Sequence, residues 1–139
     1  MELTKDANFL QDFDQATKAE WLETNSLGGY ASSTVNGCNT RRYHGLLVAA
    51  VVPPTERMVL VSKLDETIVT SVDRFELGCN DYGDAISPKG YQYLVDFRRG
   101  LFPAFMYDTG NIRLKKTIGM VHHENTTFLQ YEILKAESP

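Results

Sequence analysis

"TRRYHGLLVAAVVPP", residues 40–54, changes character at its midpoint. Two arginines, a tyrosine and a histidine come first, and an apolar run follows until Pro53-Pro54. A membrane span needs about 20 apolar residues, so the run 45–52 is too short to be one. It has the length of a strand buried on both faces, as the middle strand of a sheet is. Two prolines then withdraw the N–H groups that a ladder needs and stop it.

The segments on either side fit a sheet. "EWLETN" (20–25) and "YASSTV" (30–35) read as strands, parted by Leu27-Gly28-Gly29 and closed by Asn36-Gly37. "RMVLVSKLDETIVT" (57–70) begins apolar throughout, then sets Leu64 and Ile68 against Lys63, Asp65 and Thr67. It reads as a strand running from the core to a solvated edge. "NDYGDAISPKG" (80–90) reads as a polar loop. "YQYLVDF" (91–97) places Tyr91, Tyr93, Val95 and Phe97 on one face at period two. "IRLKKTIGM" (112–120) aligns Ile112, Leu114, Ile118 and Met120, with Lys116 among them. "TTFLQYEIL" (126–134) aligns Leu129, Tyr131 and Ile133, and the turn His123-Glu124-Asn125 makes a hairpin of the pair. Only "DFDQATKAEW" (12–21) reads as helical, capped by Asp12 or Asp14 and running to about Ala19. The expectation is an all-β fold: one antiparallel β-sandwich over residues 1–139, with one short N-terminal helix. The apolar pattern of the last strand stops shortly before the final residue, so either the sandwich is complete there or the chain is part of something longer.

Composition narrows the partners. The chain has 139 residues, 14 Lys plus Arg against 18 Asp plus Glu, and a net charge of −4. Nucleic acid calls for a basic face, which the pairs Arg41-Arg42 and Arg98-Arg99 are too few to supply. No segment suits a membrane span, and the polar, acidic N-terminus is unlike a signal peptide. Cys38 and Cys79 are widely spaced, and both read as reduced thiols of a cytoplasmic protein.

Most catalytic chemistry finds no support. His122, His123 and Glu124 have metal-ligand side chains, but neighbours in a strand face apart, so no metal site is expected. The glycines at 28, 29 and 37 match no phosphate-binding fingerprint, and no cofactor is expected. Asp65 and Glu66 face apart in a strand, and Asp81 and Asp84 lie in a loop. Nothing holds two carboxylates at the separation that glycoside hydrolysis needs. Asn125-Thr126-Thr127 fits a glycosylation pattern and equally a hairpin turn. Lys116 on an apolar face needs a partner, either an ion pair within the protein or a ligand. Arg41, Arg42, Tyr43 and His44 remain. They bring donors, an acceptor and two stacking rings within four residues. Such a set suits a polyhydroxylated ligand, and it equally suits a clamp on neighbouring loops. If the strand begins near Arg42, then Arg42 and His44 share one face and Arg41 and Tyr43 the other. A strand apolar on both sides would hold whichever face is used on a rigid base.

"EWLETNSLGGYASSTVNGCNTRRYHGLLVAA" (20–50) resembles the N-terminal domain of bacterial and archaeal glycogen debranching enzymes of the amylo-α-1,6-glucosidase type. The resemblance continues through "SKLDETIV", "PKGYQYLVDF" and "KKTIGMVHHENTTFLQYEIL". It implies a β-sandwich that helps to bind an α-glucan such as glycogen and supports a catalytic barrel of paired helices. That barrel, where the family hydrolyses α-1,6 branch points, has no counterpart here, so this chain alone is expected to be inactive. The resemblance turns the Arg41–His44 cluster towards substrate binding. Its partners are then the glucan and the catalytic barrel of the same polypeptide, and a sandwich without its barrel should self-associate weakly. The alternatives are a free-standing carbohydrate-binding module and a non-catalytic structural domain. The family carries Gly where this chain has Ser26 and Ser33, and a positive φ at either position would strain the serine.

Overall fold

The computed structural model describes residues 3–137. In chain order it contains β1 (Leu3–Asp6), the single-turn helices α1 (Ala7–Leu10) and α2 (Phe13–Ala16), β2 (Glu20–Thr24), β3 (Tyr30–Thr34), β4 (Gly45–Val52) and β5 (Glu56–Val61). β6 (Thr67–Val69), β7 (Arg74–Glu76), β8 (Cys79–Asp81) and β9 (Ile86–Lys89) follow. A 3-10 turn (Gly90–Tyr93) leads into β10 (Leu94–Arg99), β11 (Pro103–Asp108), β12 (Ile112–Met120) and β13 (Thr127–Ala136). One antiparallel sheet runs β1-β10-β11-β12-β13, and a second runs β2-β3-β4-β5. β6-β7 and β8-β9 are small separate hairpins. The fold is an all-β sandwich.

The core lies between the two larger sheets. Trp21 and Ala31 come from one sheet, and Phe97, Phe105, Tyr107, Leu114 and Ile118 from the other. Trp21 stands edge-on to Phe105 at 6.1 Å between ring centroids, and its Nε1–H reaches the Thr34 carbonyl at 3.2 Å, so the indole is buried without leaving its donor unpaired. On β12 the expected inward face holds from Leu114 onwards: Leu114, Lys116, Ile118 and Met120 are buried, while Ile112 is only half-buried.

Several expectations change in detail. Asp12 does cap a helix, its carboxylate accepting from Gln15 N–H, but the helix stops at Ala16. The Ala19 carbonyl accepts from Val35 N–H at 2.9 Å, which draws the chain into the β2-β3 ladder. A second turn before it is capped by Asp6. Tyr91 and Tyr93 lie in the 3-10 turn and not on a strand face, and a register shift between Leu94 and Asp96 breaks the period in β10. The polar stretch 80–90 folds into most of the β8-β9 hairpin. β4 is a middle strand and is buried through Ala50, but β5 is an edge. Its Met58 and Leu60 are about half exposed, since no further strand covers them.

Candidate functional site

The polar cluster rests on a wired loop between β3 and β4. Thr34 Oγ1 donates to Asn36 Oδ1 at 2.7 Å, and the same oxygen accepts from Cys38 N–H at 3.1 Å. Asn39 accepts from the Ser33 hydroxyl and donates to the carbonyl of Ser62, just past the end of β5. This loop leads into a turn at residues 40–43, because β4 starts only at Gly45. The alternation expected from Arg42 onwards therefore does not apply.

His44 is buried beneath that turn. Its Nδ1 accepts from the backbone N–H of Thr40 at 2.9 Å and of Arg41 at 3.2 Å. A nitrogen that accepts from two amides carries no proton, so the ring proton sits on Nε2 and points at Glu20 Oε1, 2.6 Å away. Arg41 Nε donates to the same oxygen at 2.5 Å. Burial would raise the Glu20 carboxyl, but the hydrogen bonds from Arg41 and His44 outweigh it and hold it below its ordinary value.

Arg42 and Tyr43 point the other way, into solvent. The guanidinium carbon of Arg42 lies 5.5 Å from the centre of the Tyr43 ring. Tyr43 is 48% exposed. Its carbonyl accepts from the Tyr30 hydroxyl at 3.1 Å, and Tyr30, Tyr43, Thr55 and Arg57 line a cleft of about 250 Å³. Arg57 donates to the Gly28 carbonyl at 2.7 Å. Gly28 has φ +90° and leaves no room for a Cβ against Pro54, so glycine is required there twice over.

The quartet therefore divides. Arg41 and His44 converge on Glu20, while Arg42 and Tyr43 form an exposed stacked pair at the edge of a cleft. Sequence reasoning missed Glu20, Tyr30, Thr55 and Arg57. They come from other strands and loops, and no spacing marks them as neighbours of residues 41–44.

The remaining candidates have partners within the protein. Lys116 Nζ lies 2.7 Å from Glu66 Oε1, which also accepts from the Tyr131 hydroxyl at 3.0 Å. Lys116 is thus ion-paired. Burial and the Glu66 carboxylate push the Tyr131 phenol up to about 12. His122 and His123 sit in the β12-β13 turn with ring centroids 3.9 Å apart, not on opposite faces of a strand, and His122 Nδ1 bonds the Ser26 hydroxyl. Among the described residues no three His, Cys, Asp or Glu side chains gather as a metal site would need. Asn125 is a hairpin residue whose Oδ1 accepts from Asn25. Cys38 and Cys79, distant in sequence, are free and buried. The neighbouring Cys79 draws the Cys38 thiol down to about 7 against burial, helped by the Asp81 backbone and Lys63, while Cys38 and burial push the Cys79 thiol up. No helix among the described residues is long and apolar enough to cross a membrane.

No curated protein and no solved structure matches the chain. One family does match, the one described as "Glycogen debranching enzyme N terminal", over residues 19–139. That span takes in both larger sheets apart from β1, as well as the Glu20–His44 clamp and the Tyr43 cleft, and the chain belongs to this family.

Proposed function

We propose that this domain binds the α-glucan substrate of a glycogen debranching enzyme and braces the catalytic domain that hydrolyses its α-1,6 branch points. Arg42 and Tyr43 are the contacting pair, and Arg41 and His44 set the base from which they are presented. The observation that carries this reading is the exposed Arg42–Tyr43 stack beside the cleft of Tyr30, Thr55 and Arg57. An aromatic face suits the C–H face of a sugar ring, and hydroxyl and guanidinium groups suit its hydroxyls. The family membership supports the same reading.

The test is glycogen binding by the purified chain, measured by affinity electrophoresis and calorimetry. Tyr43→Ala and Arg42→Ala should each weaken binding about tenfold, the loss of roughly 1.4 kcal/mol of contact. Thermal midpoints should stay at the wild-type value, as should the binding of Arg98→Ala. Wild-type protein that ignores glycogen, or variants that bind it like wild type, would overturn the reading.

A further inference from the structure

Two thiols that play no part in the Arg41–His44 cluster lie side by side in the interior. Cys38 belongs to the β3-β4 loop, and Cys79 opens the β8-β9 hairpin. They are 0% and 1% exposed. Each is held in place on its own side. Cys38 N–H donates to Asn36 Oδ1 at 3.1 Å, and the Cys79 carbonyl accepts from Lys63 Nζ at 2.8 Å. Lys63 follows Ser62, whose carbonyl accepts from Asn39, the residue after Cys38. Loop and hairpin are thus tied to one short stretch, residues 62–63, and their thiols meet beside it.

We propose that Cys38 and Cys79 are a redox dithiol, closed to an intramolecular disulfide by hydroperoxides and reopened by dithiol reductants. Besides Cys79 itself, the Asp81 backbone N–H and the Lys63 ammonium favour the thiolate of Cys38 and make it the attacking sulfur. The Asp81 carboxylate opposes them without reversing the balance. The thiolate attacks one peroxide oxygen. The O–O bond breaks, and the other oxygen leaves as hydroxide, which takes up the proton that Cys38 gave up on ionising. Cys38 is then a sulfenic acid. The Cys79 sulfur attacks the Cys38 sulfur, the S–O bond breaks, and the oxygen leaves as a second water with the Cys79 proton. One peroxide is reduced by two electrons, and two thiols are oxidised to one disulfide. The Cys79 thiol is pushed up first of all by Cys38, so a neutral sulfenic acid at Cys38 removes that cause and readies Cys79 for the second step. Access comes through the hairpin. β8-β9 belongs to neither larger sheet, and a lone two-stranded hairpin opens before a sandwich does. The disulfide fastens this hairpin to the loop leading to Arg42 and Tyr43, and it forms whatever those two residues bind.

The test is peroxide titration of the full folded chain, followed by thiol counting in denaturant and mass spectrometry. Wild type should lose both thiols together and two hydrogens in mass. Its digest should contain a Cys38–Cys79 cross-linked peptide, from one chain, that dithiothreitol separates. Oxidation should raise the thermal midpoint, because the bond closes a loop in the unfolded chain. Cys79→Ser should instead accumulate a Cys38 sulfenic acid that dimedone traps. Cys38→Ser should react about tenfold more slowly or less, having lost the thiolate. Cys79→Ala and Cys38→Ala serve if a buried serine unfolds the chain. Two thiols that survive excess peroxide in the folded protein overturn the proposal. So does a disulfide formed only between chains or only in denaturant, or a lower midpoint on oxidation.

Discussion

His44 Nε2 and Glu20 Oε1 lie 2.6 Å apart although 24 residues separate them, and they bridge β2 and the start of β4 across the intervening strand β3. With Arg41 on the same oxygen, the pair fastens the turn that carries Arg42 and Tyr43. His44→Ala strands two backbone N–H groups and should cost about 2 kcal/mol in urea unfolding. Glu20→Gln should cost about 1 kcal/mol at neutral pH. The folded Glu20 carboxyl titrates below its ordinary 4.5, so its contribution is present above that value and is lost as pH falls through the folded value. The gap between wild type and Glu20→Gln should therefore close progressively as the solution is acidified below 4.5. A gap that widens on acidification would show that the carboxylate is not held by this pair.

Glu66 and Lys116 should behave as a unit. Burial alone would lower the ammonium, but Tyr107 and Glu66 push it above its ordinary value. Glu66→Ala leaves that charge buried and unpaired, at a cost of about 3 kcal/mol. Combining Glu66→Leu with Lys116→Met removes both charges and should recover most of the loss in urea unfolding. Additive losses in the double variant would contradict the coupling.

Ser26 and Ser33 should respond oppositely to replacement by glycine. Ser26 has φ +65°, so Ser26→Gly relieves left-handed strain and should be neutral or stabilising by up to about 1 kcal/mol. Loss of its exposed bond to His122 offsets part of that gain. Ser33 lies within β3 and donates to Asn39 at 2.7 Å. Ser33→Gly removes that bond and loosens a strand, at a cost of about 1–2 kcal/mol. Thermal midpoints moving in the same direction for both would refute the distinction.

Gly90 opens the 3-10 turn before β10, and its N–H donates to the Gly78 carbonyl at 2.9 Å. A Cβ there would run into the backbone of Leu77, which cannot swing aside as a side chain could. Gly90→Ala should destabilise by about 2 kcal/mol or more. Gly100→Ala, with nothing within 4 Å of the new methyl, should be near neutral. Equal midpoints for the two variants would show that the backbone at Leu77 yields freely.

The sequence by itself determined what local periodicity encodes. The apolar run 45–52 became a middle strand, and the inward face of β12 followed its alternation, since a pleated strand sends alternate side chains to one side. Asp12 capped a helix because a cap needs only its neighbours three residues on. Lys116 on an apolar face announced a partner without naming Glu66, 50 residues away. Tertiary structure decided which apolar segments were covered. Met58 and Leu60 look as buried as Leu46 in sequence, but β5 ended as an edge. It also decided how "TRRYH" divides. A turn replaced the expected strand, so His44 went down to Glu20 and Tyr43 up to Tyr30, whose positions depend on sheet register and not on spacing along the chain.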